Sequence, residues 1–588
     1  MNTLLDKIHK PMAALLAPLI TCLALAGASC LGDGVGPLGA DTPWTTYEAE
    51  AMKTNGIILG PRYAAHLVET EASGEKCVKL TEVGGFVEFA AGADANALVV
   101  RYCLPDSPQG GGVDSSLALL INGREVQTLA LSSRYSRIYG VYPFTNNPAD
   151  GKDRNFYDEF RVKGLQITRG DVIRLQKNTA DGRYCIVDLV DLEMVPAPLA
   201  PPANALSLLD FGADGKGETD DTAALCACVA KAEKTGGVVW VPAGRYQLTG
   251  DIELSSAVTI QGAGMWYTTF VGDPARYGSP DHRVRFRLAG KGIHLADFAI
   301  LGRLDHRIDN EENDGLLGIG CAECTVERLW IEHTKVGIWI YNGANLRIAG
   351  CRFRDLLADG VNLCAATYGT VIENCSARGS GDDCFAIWPA AFSQGYEAGR
   401  SVAGNNVIRR CTGQLPFLAN GGAIYGGASN RIEDCLFTDI STGCGVLLST
   451  TFSTANEKRK IDNNFSGTTV VRHCALVRCG GDDHAWSWRG ALQLCVDLKS
   501  IAGVLVSQVD IRDSLSDGLS VVAPGSPKVG ATLLDVRLDQ VNISNSSIGT
   551  PSHHDLWIRA DAVGGLTLAN STVTKIQNDS DHFKIVRE

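Results

Sequence analysis

The sequence predicts an all-β protein in two parts, an N-terminal β-sandwich (jelly roll) followed by a right-handed parallel β-helix. Residues 44–195 alternate in short strand-like runs separated by turn residues, the spacing of a sandwich. A proline-rich run follows, and from about residue 258 to 576 one short apolar phrase recurs with a period in the low-to-mid twenties. A period of that length built only of short strands means a solenoid. Composition agrees, with 65 Gly and only 5 Met among 588 residues.

The chain opens on an export signal, residues 1–30. Lys7, His9 and Lys10 precede an apolar stretch over 12–27, too short and too interrupted by Pro18 to span a membrane. Ala26-Gly27-Ala28 resembles an ordinary cleavage site. Gly27-Ala28-Ser29-Cys30 resembles a lipoprotein box without its leading Leu, so secretion is favoured and a lipid anchor on Cys30 is the alternative. No transmembrane segment follows. The net charge of −13 argues against nucleic acid or an anionic membrane as partner, and the chain is expected to act as a monomer.

The sandwich is placed at 44–197, with strands expected around Phe86-Val87-Glu88-Phe89, at Leu98 to Tyr102, at Leu117 to Asn122 and at Val172 to Leu175. It opens with Tyr47-Glu48-Ala49-Glu50 and closes with Ile186-Val187-Asp188-Leu189-Val190-Asp191-Leu192-Glu193. This pairing of ends resembles jelly-roll carbohydrate-binding modules, whose first and last strands meet and hold a structural calcium. Carried over, the ligands are Glu48, Glu50 and Asp188, oxygen donors of the kind calcium takes; solvated acids on edge strands are the alternative. Pro196-Ala197-Pro198-Leu199-Ala200-Pro201-Pro202 reads as a stiff linker, and 198–204 is taken as the boundary.

The solenoid spans 205–588. Its entry has Thr219-Asp220-Asp221-Thr222 ahead of a helical run to Lys234, then Val238-Val239-Trp240-Val241, and resembles the N-terminus of pectate-lyase-like β-helices. Asp220 and Asp221 are read as helix-capping acids. The 19 cysteines fall largely into a recurring inward slot: Cys351 and Cys375 lie 24 residues apart, as do Cys411 and Cys435. Stacked free thiols are expected there, with some pairing among Cys77, Cys103 and Cys185. Cys321 and Cys324 form a lone CxxC, too little for zinc.

Stacked coils rise by about 4.8 Å, so residues one period apart sit one above the other. A shift of 24 aligns Val361 with Phe385 and Leu363 with Ile387, and it sets Asp359 against Asp383, with Asp382 beside it. Three carboxyls so close repel, and at least one should bind its proton more tightly. Glycoside hydrolysis uses that asymmetry: an acid protonates the leaving oxygen while a carboxylate activates water. A calcium site and plain turn residues are the alternatives. Gly480-Gly481-Asp482-Asp483-His484 is a second acidic pair, several coils away and read as a decoy.

Ala358-Asp359-Gly360-Val361-Asn362-Leu363 and Gly381-Asp382-Asp383-Cys384-Phe385-Ala386-Ile387-Trp388 resemble the catalytic motifs of glycoside hydrolase family 87, the α-1,3-glucanases and mycodextranases. The resemblance implies inverting, endo-acting cleavage of α-glucan by Asp359, Asp382 and Asp383. By analogy with β-helix hydrolases, Asp382 is the general acid, and Asp359 and Asp383 hold the water. No cofactor is expected for catalysis. Trp388, Tyr425, Trp486 and Trp488 are candidate sugar-stacking residues. Polygalacturonases share the trio but add a Gly-His-Gly turn and an Arg-x-Lys pair; the coil after Asp383 instead reads Asn420-Gly421-Gly422-Ala423-Ile424-Tyr425. Lyases need basic residues, and no basic cluster flanks the trio in sequence. The remaining alternative is a non-catalytic, glycan-binding solenoid.

Overall fold

The computed structural model describes residues 38–272, 284–309, 313–390, 403–453, 462–482, 488–525, 529–550 and 554–588. The export segment with Cys30, and Asp483, His484 and Trp486, lie outside them. Among the described residues no helix is long and apolar enough to cross a membrane.

Two antiparallel sheets form the sandwich. The first strand, Trp44–Glu48, pairs with the last, Cys185–Glu193, as expected, with Glu48 opposite Leu189. Alternating apolar residues such as Leu98, Val100, Leu117 and Leu119 fill the space between the sheets. Cys77, Cys103 and Cys185 remain free thiols, which corrects the expectation of pairing. Cys77 and Cys103 lie on strands that flank Cys185–Glu193 on its two sides. Two strand spacings, roughly 9.6 Å, exceed the reach of a disulfide. Cys185 points into the other core layer.

The β-helix carries a 12-stranded parallel sheet, one strand per coil from Asp251–Leu254 to Ile576–Asn578. A second parallel sheet runs beside it and bends at a corner where Asp297, Arg328, Asn374, Arg410 and Asp434 take left-handed backbone (φ between 50° and 65°). Immediately after that corner Cys351, Cys375, Cys411, Cys435 and Cys474 stack inward as free, buried thiols. Helix Thr222–Glu233 packs Leu225, Cys228, Val229 and Ala232 onto the first coil. Its cap differs from expectation: Asp220, not Asp221, accepts from the Thr222 amide, at 3.0 Å, while Asp221 turns inward to the Asp214 amide.

A buried ionic seam joins the two parts. Arg352 makes two bonds to Glu193, at 2.7 and 2.8 Å. Arg378 bridges Glu159 at 2.5 Å and Asp191 at 2.8 Å. Breaking such pairs one partner at a time is costly, because a charge is left behind in a dry environment.

Candidate active site

The trio sits where the turn of each coil enters the 12-stranded sheet. Val361–Cys364 lies parallel to Phe385–Trp388, with Val361 opposite Phe385 and Leu363 opposite Ile387, the register the repeat predicts. The Gly360 amide donates to the Asp383 carbonyl at 3.0 Å, so Asp359 and Asp383 occupy matching places on successive coils. The next coil continues the row at Asn420, since Phe385 stands opposite Gly422. Gly381 lets the chain pass close beneath: a Cβ there would lie 2.4 Å from the Leu357 carbonyl oxygen. One carboxylate oxygen from each of Asp359, Asp382 and Asp383 lies within 4.8 Å of the others.

Their surroundings differ. Asp383 is buried and fully bonded, its Oδ1 accepting from the Asn420 amide (3.1 Å) and side chain (2.7 Å), its Oδ2 from the Tyr425 hydroxyl (2.9 Å). Burial and the charge of Asp382 nevertheless push Asp383 up to about 7, against those bonds. Burial, then the charges of Asp382 and Asp383, holds Asp359 well above the usual carboxylate range, opposed by Arg307 and Asn362. Asp382 is the open member, its side chain 26% exposed, with Oδ2 held by the Arg307 guanidinium at 2.8 Å. Three carboxyls at one spot thus have three environments, the asymmetry that acid–base work requires.

The trio opens into a cleft of about 430 Å³. Trp388 lines it, standing edge-to-face against Trp339 at 5.9 Å and Phe452 at 5.8 Å. Tyr425 also lines it, but at 8% exposure its ring is not a stacking platform; its hydroxyl serves Asp383 instead. Trp488 is 38% exposed and is not among the described residues that line the cleft. A larger cavity, about 620 Å³, opens at the domain seam beside Trp44 and Trp266 and contains none of the trio.

Several cleft residues escaped sequence reasoning. Arg307 comes from 75 residues before Asp382, and Tyr142 from the sandwich. Lys335 is a second cation there. No basic cluster flanks the trio in sequence, but loops of earlier coils deliver these two cations, which linear proximity cannot reveal. Both cations face carboxylates: Arg307 binds Asp309 at 2.7 Å as well as Asp382, and Lys335 stands 3.9 Å from Asp314. With Asp309 and Asp314 beside the trio, the described residues of the cleft hold five carboxyls against two cations.

The expected calcium ligands fit in part. Glu48 and Glu50 each keep one buried oxygen without a hydrogen-bond partner. Burial, with Asp188 contributing, raises Glu48 well above its ordinary range; burial raises Glu50 to about 7. Both would return to carboxylates around a divalent cation. Asp188 is already committed to Arg101 at 2.5 Å and to the Ser73 amide at 2.9 Å. The two glutamates are thus the better-suited donors.

Residues 41–195 match the family model "Alpha-1,3-glucanase catalytic domain D1", and residues 220–582 match "Alpha-1,3-glucanase catalytic domain D2". The fold superposes on the Agl-KA catalytic domain with a TM-score of 0.81 at 25% identity, covering 95% of this chain and 100% of that one. It superposes on the catalytic unit of a thermostable GH87 α-1,3-glucanase from Streptomyces thermodiastaticus with a TM-score of 0.80 at 28% identity, covering 93% of this chain and 96% of that one. Among curated proteins, alginate lyase 7 of Azotobacter vinelandii is 46% identical over 67 residues, 10% of this chain. This chain spans only 8% of that relative's length.

Proposed function

This chain belongs to the α-1,3-glucanase family, glycoside hydrolase family 87, and on that premise we propose that it is an endo-acting, inverting hydrolase of α-1,3-glucosidic linkages in α-glucan. The observation that carries the reading is the meeting of Asp359, Asp382 and Asp383, with an oxygen of each within 4.8 Å of the others, on the floor of an aromatic-walled cleft. A further support is positional. Solved α-1,3-glucanase catalytic domains bearing single aspartate-to-alanine changes hold tetrasaccharides or nigerose, and their three changed aspartates are spaced by 23 and 1 residues. Asp359, Asp382 and Asp383 have the same spacing.

In this reading Asp382, the solvent-open carboxyl, gives its proton to the glycosidic oxygen as the bond from that oxygen to the anomeric carbon breaks. Asp359 and Asp383 orient a water, and Asp383, the member bonded as a carboxylate, takes its proton as the water oxygen bonds to the anomeric carbon from the opposite face. The oxygens lie closer than the roughly 6.5–9.5 Å between carboxyls of an ordinary inverting pair, so inversion rests on the family and not on this spacing. Trp388 and Trp339 offer ring faces and edges to sugar rings.

The charge of the cleft favours a neutral glucan over a polyuronate, because a uronate would enter beside a surplus of carboxyls whose two cations are already paired. We place a structural calcium at Glu48 and Glu50, with Asp188 beside it, and expect an exported protein, secreted or anchored through Cys30. Assay of the purified protein on α-1,3-glucan, nigeran, dextran and polygalacturonate tests the substrate. Reducing ends released from α-1,3-glucan or nigeran are the expected result. Release from polygalacturonate alone, or new ultraviolet absorbance marking an unsaturated uronide, would reject it; binding without turnover would favour a glycan-binding solenoid.

A further inference from the structure

Among the described residues Arg307 is a buried cation with four polar partners, three of them on side chains. Its Nη1 donates to Asp382 Oδ2 at 2.8 Å and to the Gly381 carbonyl at 3.3 Å; its Nε donates to Asp309 at 2.7 Å. Its Nη2 donates to the hydroxyl of Tyr142 at 3.0 Å, and the guanidinium lies 4.8 Å from the centre of the Tyr142 ring. The guanidinium is thus spanned on one side by the solenoid and on the other by the sandwich. Burial works against its charge, but Asp382, Tyr142 and Asp309 outweigh burial and keep it firmly protonated. Arg307 also opposes the burial and the carboxylate repulsion that raise Asp359 above the usual range.

A carboxylic acid that must both keep one geometry and release a proton needs a fixed partner. A guanidinium forked between Asp309, Asp382 and a phenol supplies it, since its planar donors leave little rotational freedom. The Tyr142 side chain is 45% exposed at the mouth of the cleft, so it does not act as core packing.

We propose that Arg307 is a positioning residue for Asp382 and that Tyr142, reaching over from the sandwich, holds Arg307 in place. The sandwich then takes part in the hydrolytic site itself. This rests on the reading of Asp382 as the general acid.

The test is the pH profile of kcat/KM for wild type, Arg307→Gln, Arg307→Lys and Tyr142→Phe, on whichever glycan of the panel the wild type cleaves. A substrate other than α-1,3-glucan would then correct the substrate assignment and leave this test intact. Removing an opposite charge from beside a carboxyl shifts its titration by about one to three pH units. Arg307→Gln should therefore move the limb of the profile that Asp382 sets upward by about one unit or more and lower kcat at least tenfold. Arg307→Lys, which keeps the charge, should restore the limb to near its wild-type place with kcat still reduced. Tyr142→Phe should move the limb in the same direction by a smaller step, with KM changed less than twofold. Thermal melts of each variant separate misfolding from these effects, and the lysine variant carries the test if the glutamine variant fails to fold. An unmoved limb in the folded variants, or a loss confined to KM, would overturn the proposal. Absence of turnover on every glycan would overturn it together with the hydrolase reading.

Discussion

The hydroxyl of Tyr425 donates a 2.9 Å hydrogen bond to Oδ2 of Asp383 from 42 residues further along the chain. A tyrosine suited by composition to stacking on sugar is instead spent on steadying a buried carboxylate. Asn420 completes the same cradle, so the row above Asp383 is built to keep it ionisable where burial alone would keep it neutral.

Tyr425→Phe removes one of the bonds that lower Asp383 from where burial and Asp382 would put it. Hydrogen bonds to charged groups are worth about 1.5–3 kcal/mol, which is about one to two pH units. Burial and the charge of Asp382 already push Asp383 up to about 7, and it serves as carboxylate, so loss of a donor should push the acid limb of kcat/KM upward by about one unit. At pH 6 the variant should be about tenfold slower. The pH–rate profile checks it.

Asp359→Asn should abolish turnover, by at least about 10²–10⁴-fold, while glycan binding persists. The same change should stabilise the fold. Asp359 holds its proton more tightly in the folded chain than in the unfolded one, where a carboxyl titrates near 3.9. Wild-type stability at this group is therefore fully present below about pH 4 and declines as pH rises above it. Melting curves should show Asn at 359 raising Tm at pH 8 by about 1–3 °C and making no difference at pH 4.

Arg378→Ala should weaken the domain seam. Glu159 and Asp191 would lose the guanidinium between them, and a buried pair broken on one side costs about 3–5 kcal/mol. Urea unfolding should show a lower midpoint, with the sandwich melting ahead of the solenoid.

The calcium proposed at Glu48 and Glu50 is tested by chelation. EDTA is expected to lower Tm by several degrees, calcium to restore it, and Glu50→Gln to remove the response. Because the metal-free Glu50 titrates at about 7, calcium affinity should fall as the solution is acidified below neutrality. Unchanged melting with and without chelator would remove this site.

The repeat made the solenoid readable because a strand ladder converts spacing into register: Val361 over Phe385 and Asp359 over Asp383 follow from one shift. The rule lapses where a loop interrupts the period. Phe385 to Gly422 spans 37 residues, yet the strands still pair, since insertions leave the sheet without disturbing its register. Side chains on loops obey no such rule. Arg307 reaches Asp382, and Tyr142 reaches Arg307, through tertiary packing that no period encodes. Cysteine behaved similarly: in the solenoid its slot was legible from recurrence, whereas in the sandwich the intervening strand between Cys77 and Cys103 was not.

The anomeric form of the first product tests the hydrolytic trio most directly. Proton NMR during the first turnovers on an α-1,3-glucan should show the β-anomer appearing ahead of mutarotation, as attack by a water held at Asp359 and Asp383 requires. An α-anomer at first appearance would mean retention through a covalent intermediate on one of these carboxyls, and would contradict the account.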